Sequence, residues 1–212
     1  IENFIETADK DIDKLYSELK ESLLSIEDKN LLQLTKRFIE DESLMNRFKK
    51  SPAAMFYHHA YVGGLLEHTL DIIKLGEKLI ELHPKLDRDL MILGSFLHDI
   101  GKIEEFNVTT NIKQSRIGLL SGHIPLGQEI LIVKINELDD FPDDLKHKLL
   151  HIISSHHGKR EYGAVKEPMF PEAAAIYYLD ELDSQIFQYI DLKENADTED
   201  FHIWNKRFGQ LY

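Results

Sequence analysis

The sequence predicts an all-α protein with a helical extension at its N-terminus. Apolar residues recur at intervals of three and four in most segments of the 212-residue chain, as in helices that bury one face. A nearly unbroken apolar run at 90–97 indicates a central helix that is buried all round. The segment 103–122 lacks this periodicity, and there we expect a long loop or short strands.

The N-terminal extension covers 1–50, where apolar residues at helical spacing predict two or three helices. Ser51-Pro52 breaks this pattern, and a main domain is expected over 51–192. A tail at 193–212 is expected to pack on the body of the protein through its aromatic residues, which are Trp204, Phe208 and Tyr212.

Composition excludes several classes of protein. The chain has no cysteine, which rules out disulfides and thiolate metal ligands and favours a cytoplasmic location. We find no signal-peptide pattern and no apolar run of the roughly 18 residues that a membrane span needs. The formal charge of −13 argues against binding to a DNA duplex. A phosphate substrate stays compatible, because bound divalent cations would reverse the charge locally.

The first helix of the main domain is predicted within 61–83, with His68 inside its apolar stripe. Pro84 ends this helix, and Asp87 is the expected N-cap of the next one. That next helix runs into His98 and Asp99, with Gly101 expected at its C-terminal end. Polar side chains at the end of a buried helix require partners, because an unpaired buried charge is costly.

Two further helices are predicted at about 125–138 and 143–157, the first of them with Pro125 in its first turn. Gly122-His123 precedes the first. In the second, His156 and His157 fall in the apolar sector, whereas His147 and His151 fall on the side expected to face solvent.

The last strong helix is predicted at about 172–190, where two carboxylates lie on an apolar stripe. The residues of this inward face are Ala173, Ile176, Asp180, Asp183, Phe187 and Ile190. Its polar face carries Glu181, Gln185 and Gln188.

These segments together direct histidines and carboxylates toward the interior. The inward set consists of His68, His98, Asp99, His123, His156, His157 and either Asp180 or Asp183. A single inward histidine is more often a core residue than a ligand, but this set exceeds what one cation can use. It suits two cations with Asp99 as a shared, bridging ligand, and its imidazoles favour Mn, Fe, Ni, Co or Zn. Two such cations, about 3.5–4 Å apart, suit phosphoryl displacement.

Other polar residues near this set have two interpretations each. Lys102 is either a helix C-terminal cation or, as we favour, a phosphate contact. Lys159 and Arg160 belong to a solvated loop that follows His157 closely enough to reach a substrate. For His58 and His59 we favour a structural role, with pocket lining as the alternative.

An ordered series of these residues resembles that of the HD-domain phosphohydrolase superfamily, including its two-metal members. The series consists of His68, His98-Asp99, His123, His156-His157 and Asp180. The resemblance implies an all-α HD-domain helical bundle and a metal-dependent phosphohydrolase. It selects Asp180 as the metal ligand, which leaves Asp183 to orient a ligand histidine. Asp99 and Lys102 are then the expected catalytic residues.

A narrower resemblance is to the YhaM-type 3′–5′ exoribonucleases. It rests on 58–69, 86–90, Gly122-His123-Ile124 and 155–159. It implies a nucleotide or a single-stranded RNA end as substrate. It also implies an N-terminal OB-type domain that binds nucleic acid, but residues 1–50 are too few to form one. Two alternatives stay open: a phosphohydrolase for small nucleotides or cyclic dinucleotides, and a non-catalytic metal-binding regulatory module. A homo-oligomer also stays open.

Overall fold

The computed structural model describes residues 11–55, 60–109, 111–194, 202–205 and 208–211. These residues form ten α-helices and two short β-hairpins, so the predicted all-α class is confirmed. The helices are α1 (Ile12–Leu24), α2 (Lys29–Glu40), α3 (Glu42–Lys50), α4 (Gly64–Leu82), α5 (Arg88–Leu97), α6 (Lys102–Glu105), α7 (Arg116–Ser121), α8 (His123–Asn136), α9 (Asp143–Ser155) and α10 (Pro171–Glu194).

Each β-hairpin is a pair of three-residue antiparallel strands. The first pairs β1 (Phe106–Val108) with β2 (Ile112–Gln114), and Phe106 lies opposite Gln114. The second pairs β3 (Ile203–Asn205) with β4 (Gly209–Leu211), and Ile203 lies opposite Leu211.

Aspartate side chains cap four of the helices in the N-terminal half, whereas α4 begins after Gly63 without a side-chain cap. Asp11, Asp28 and Asp41 accept backbone N–H bonds at the starts of α1, α2 and α3, and Asp87 does the same for α5. Such caps satisfy donors that have no partner within the helix. The prediction of two or three N-terminal helices and of the Asp87 cap is confirmed.

The N-terminal helices share one hydrophobic core with the rest of the protein. Phe38 of α2 contacts Phe96 of α5 edge to face at 5.5 Å between ring centroids, and Phe48 of α3 contacts the same ring at 5.2 Å. Every residue from Leu90 to Leu97 is buried, as the apolar run predicts. Helices α4, α9 and α10 pack against α5. The domain boundaries stay a prediction.

The segment 103–122 contains the expected short strands, but helices are present where we expected a loop. Its short strands are the β1–β2 hairpin, and α6 and α7 flank the hairpin without having been predicted. Gly101 does not end a helix. Its Cβ, if present, would lie 1.9 Å from the carbonyl oxygen of His123, so the glycine allows the backbones to meet directly.

Four predictions about individual side chains are wrong. Trp204 is 78% exposed and does not anchor the tail, although Phe208 packs on Tyr189 at 4.6 Å between centroids. Ile190 is exposed because it lies near the end of α10. Gln188 is buried rather than solvated. His151 is half-buried because it packs on Phe170 and accepts the N–H of Met169. Tyr212 lies outside the described residues.

No described helix combines the length and the apolar character that crossing a bilayer would require.

A candidate metal centre

Two histidines of the centre come from the same local structure at two helix ends. His98 directly follows α5 and His156 directly follows α9. The Nδ1–H of His98 donates to the carbonyl of Ser95 at 2.7 Å, and that of His156 donates to the carbonyl of Ile153 at 2.9 Å. Carbonyls of a last helical turn lack helical partners and are available to such bonds. Both rings therefore present Nε2 to the interior.

Carboxylates of α10 hold the ring of His68 from both sides. Asp183 Oδ2 lies 2.7 Å from His68 Nδ1, and Asp180 Oδ1 lies 3.2 Å from Nε2. His68 is fully buried in α4, one of the helices that pack on α10. Asp183 thus orients the ring, and Asp180 lies on the side that faces the centre. This is the division of roles that the resemblance implies.

His123 is positioned by a carboxylate that sequence reasoning missed. Glu105, at the end of α6, contacts His123 Nδ1 through Oε2 at 3.0 Å. The close approach at Gly101 brings α6 against the start of α8 and so fixes this pair. A carboxylate six residues after Asp99 is the only sequence signal, and it lies in a segment without periodicity.

Asp99 lies between two groups of histidines. Its Oδ2 faces Nε2 of His98 at 3.3 Å and Nε2 of His68 at 3.9 Å. Its Oδ1 faces Nε2 of His156 at 3.4 Å and Nε2 of His123 at 3.5 Å. The two oxygens of one buried carboxylate therefore point to two different sets of side chains.

Six of these side chains form two triads in which the potential ligand atoms have the spacing of metal ligands. We call His68, His98 and Asp180 the first triad, and His123, His156 and His157 the second triad. Within each triad the ligand atoms all lie within 4.8 Å of one another.

The hydrogen bonds decide whether these residues fit cations. Carbonyl oxygens only accept, so His98 and His156 carry their proton on Nδ1 and direct a lone pair from Nε2. The lone pair of His98 meets the Asp99 carboxylate, and that of His156 meets His123 Nε2 at 3.3 Å. His98 Nε2 and Asp99 Oδ1 make no hydrogen bond within the described part of the chain. Lone pairs that converge in a buried site fit bound cations.

The comparison with protein families agrees with this geometry. The HD domain family profile matches residues 65–185, more than half of the chain. The chain belongs to the HD-domain family. HD domains bind divalent metals, and all six residues of the two triads lie within the matched segment.

Curated relatives of this HD protein carry the name 3′-5′ exoribonuclease YhaM. Those of Bacillus velezensis and Bacillus licheniformis are 31% and 32% identical over 189 residues, and that of a Geobacillus species is 30% identical over 186 residues. Each alignment covers 88% of this chain. The chain spans only 56% to 58% of the length of these relatives. No solved structure matches the chain.

Electrostatics differ across the HD centre. Burial lowers the pKa of His68, but Asp180 and Asp183 outweigh it and raise that pKa to about 9. Burial, and to a smaller extent the nearby imidazoles of His156 and His123, lower the pKa of His157 to about 3. For Asp99, burial opposes ionisation, but Lys102 and the adjacent imidazoles hold its pKa well below the ordinary value.

A cleft of about 570 Å³ opens at the HD centre. Its lining includes Asp99, Lys102, His157 and Asp180, and we call the side formed by these four residues its inner end. The ammonium of Lys102 is paired with Asp99 Oδ2, so Lys102, for which we predict a phosphate contact, lies beside the histidine and carboxylate cluster. Residues of α10 that were predicted only as a polar face line the rest of the cleft, among them Gln185 and Gln188.

Of the remaining predicted residues, Lys159 and Arg160 are not among those that line the cleft, although the Lys159 ammonium lies 5.6 Å from the ring centroid of Tyr162, which does line it. Lys159 and Arg160 are exposed, and the Lys159 ammonium pairs with Glu161 at 3.6 Å. A 3₁₀ turn (Arg160–Tyr162) follows. His58 and His59 lie outside the described residues.

Proposed function

We propose that this protein is a metal-dependent phosphohydrolase that cleaves a phosphoester of a nucleotide or of an RNA 3′ end. The observation that carries this proposal is the position of Asp99, whose two oxygens face two histidine-containing triads. In the proposal the first triad holds one divalent cation and the second triad holds another, with Asp99 as their shared ligand.

The identity of the cations follows from the donor atoms. Imidazole nitrogens dominate and thiolates are absent from the sequence, which favours Mn, Fe, Ni, Co or Zn over Mg. The two triads would hold two such ions, which would supply Lewis-acid chemistry for the activation of water and for charge stabilisation in phosphoryl transfer.

The protein's own residues would orient the substrate and balance its charge. Lys102 pairs with Asp99 in the structure, so its ammonium stands beside the proposed cations at the inner end of the cleft. From there it neutralises a non-bridging phosphate oxygen, which gains charge in the transition state. Asp183 and Glu105 hold His68 and His123 in the orientation that directs Nε2 to the centre.

Support for RNA as substrate comes from the relatives named 3′-5′ exoribonuclease YhaM. Support for a small nucleotide comes from this chain itself. Its formal charge is −13, and Lys102 is the one cation among the described residues that line the cleft. That lining suits one phosphate better than a long strand backbone.

A hydrolysis screen with added Mn²⁺ tests the proposal on nucleotides, cyclic dinucleotides and short single-stranded RNAs. Stepwise shortening of RNA from the 3′ end, blocked by chelator and absent in Asp99→Ala, is expected. Turnover of nucleotides with RNA left intact would support the small-nucleotide alternative. If no substrate is cleaved although the protein binds metal, the chain is a metal-binding regulatory module and the proposed hydrolysis is wrong.

A further inference from the structure

The outer part of the cleft has a different lining from its metal-binding end. Tyr162, from the 3₁₀ turn, and Phe208, from the β3–β4 hairpin, both line it. Gln185 and Gln188 of α10 line it as well. Tyr162 and Gln185 lie within the residues that match the HD family, whereas Gln188 and Phe208 lie beyond them, so the family match does not account for these last two. We call it the outer cleft.

The aromatic rings of the outer cleft are held in place but not buried. Phe208 packs on Tyr189 of α10 with the ring planes at 37°, which fixes the hairpin residue against the helix. Tyr162 is 58% exposed. Aromatic side chains that keep an accessible face are the usual platforms for bases of single-stranded nucleic acids.

The outer cleft approaches the second triad through Gly163, the residue that follows Tyr162 in sequence. Gly163 follows Tyr162, and a Cβ on Gly163 would lie 3.2 Å from His157 Nδ1. The backbone beside Tyr162 therefore contacts a proposed metal ligand. A group on the Tyr162 ring and a phosphate at the metal centre would be close neighbours.

The charge of the outer cleft argues for a neutral occupant. Glu181 lines it and accepts from the Gln185 amide, whereas the lining cation, Lys102, lies at the inner end. A second phosphate in the outer cleft would meet the Glu181 carboxylate. Among the described residues, the ammonium that lies over the Tyr162 ring is that of Lys159, and it is already paired with Glu161. Side-chain amides, by contrast, offer donors and acceptors of the kind that pair with base edges.

We propose that the outer cleft is a nucleobase subsite in which Tyr162 and Phe208 stack on the base of the nucleotide whose phosphate lies at the metal centre. This inference rests on the proposed function. It restricts the substrate to a phosphoester with a base next to the reacting phosphate, and it disfavours polyphosphate chains. The volume of about 570 Å³ suits one nucleotide, since pockets of about 300–1,000 Å³ hold ligands of that size.

Kinetics on the full chain with Mn²⁺ test the subsite. The variants are Phe208→Leu, which keeps apolar packing on Tyr189 but removes the aromatic face, and Tyr162→Leu. Each is expected to raise KM for a short RNA by roughly 5- to 100-fold with little change in kcat, because stacking acts on binding. Trp204→Leu is the matched control on the same hairpin, since Trp204 is exposed and is not among the cleft residues.

RNAs that lack the base at the last or the penultimate nucleotide make the test specific for the base. Removal of the base at one of these two nucleotides is expected to raise KM for the unsubstituted protein as much as Phe208→Leu does. For the Phe208→Leu variant, removal of the same base is expected to cause no further increase in KM. Equal KM values for Phe208→Leu and the unsubstituted protein, or an equal effect of Trp204→Leu, would overturn the subsite.

Fluorescence of 2-aminopurine in the same RNA separates the subsite from the proposed hydrolysis. In chelator-treated protein, stacking is expected to quench this fluorescence, and Phe208→Leu is expected to remove the quenching. Quenching without cleavage of any substrate would support the subsite and overturn the hydrolysis. If RNAs with and without these bases are cleaved equally well and no quenching is seen, the subsite is wrong and the proposed hydrolysis is supported.

Discussion

The two triads of the HD centre share Asp99 but differ in the charge around them. In the first triad, His68 is fully buried and carboxylates lie at both of its ring nitrogens, Asp180 at one and Asp183 at the other. The second triad consists of imidazoles alone, and the side chain of His123 keeps 14% exposure. Its own carboxylate, Glu105, contacts a ring nitrogen that faces away from the centre.

This difference indicates unequal affinity for cations. A dication is attracted by carboxylates in a buried site far more strongly than by neutral imidazoles, because charge–charge energy is large where the dielectric is low. The first triad is therefore expected to hold its cation more tightly, and the second triad to exchange its cation first. Four predictions test this comparison, in order of decreasing effect.

Asp99→Ala is expected to have the largest effect because it removes the carboxylate that faces both triads. Metal content should fall from up to two ions per chain to a trace, and hydrolysis should fall by at least about a thousandfold. Elemental analysis of purified protein measures the first quantity. Asp139→Asn, at an exposed position, is the control. Equal metal content in Asp99→Ala and the control would contradict the two-cation centre.

Substitution within one triad is expected to remove one cation and leave the other. Asp180→Asn should abolish the tighter site, and His157→Ala the weaker one. Dialysis against buffers of graded free Mn²⁺, followed by metal analysis, measures each affinity. At low free metal, His157→Ala should keep more metal than Asp180→Asn. The opposite order would show that the carboxylates do not set the affinity.

Loss of an orienting carboxylate is expected to weaken one site by about 10- to 100-fold, the usual effect of such partners of ligand histidines. Asp183→Asn should act on the first triad through His68, and Glu105→Gln on the second through His123. The same dialysis reports both. Combined with His157→Ala, Glu105→Gln should have no further effect on the remaining cation. A further loss there would mean that Glu105 acts on both triads.

The smallest effect is expected for Gly163→Ala. Gly163 has φ +99° beside His157, whereas Gly209 has φ +74° and no atom of the described residues within 4 Å of where its Cβ would lie. Alanine at either position should cost stability by about 1–2 kcal/mol, because left-handed backbone strains side chains with a Cβ. Only Gly163→Ala should also weaken the second triad, by several-fold. Thermal unfolding and metal affinity measured on both variants separate strain from the effect on the ligand.

Helices and their caps depend on residues that are close in sequence, and the predictions of these features were confirmed. Apolar spacing placed His68 in a buried stripe and identified the buried run of α5, and Asp87 was recognised as an N-cap. Helical periodicity and capping involve residues within about four positions of one another, so the sequence alone expresses them. Predictions at helix ends and in the tail, such as Ile190 and Trp204, failed because packing between elements decides exposure there.

The sequence by itself determined that His68, His156 and the two aspartates of α10 face inward, although it did not identify the buried carboxylate of Glu105. Only the tertiary structure decided how they are arranged: that each oxygen of Asp99 faces a different triad, and that Glu105 supports His123 across a distance of 18 residues in sequence. It also decided that Tyr162 and Phe208 line one cleft. The physical reason is that periodicity specifies a face of a helix, whereas the packing of distant elements specifies what that face meets.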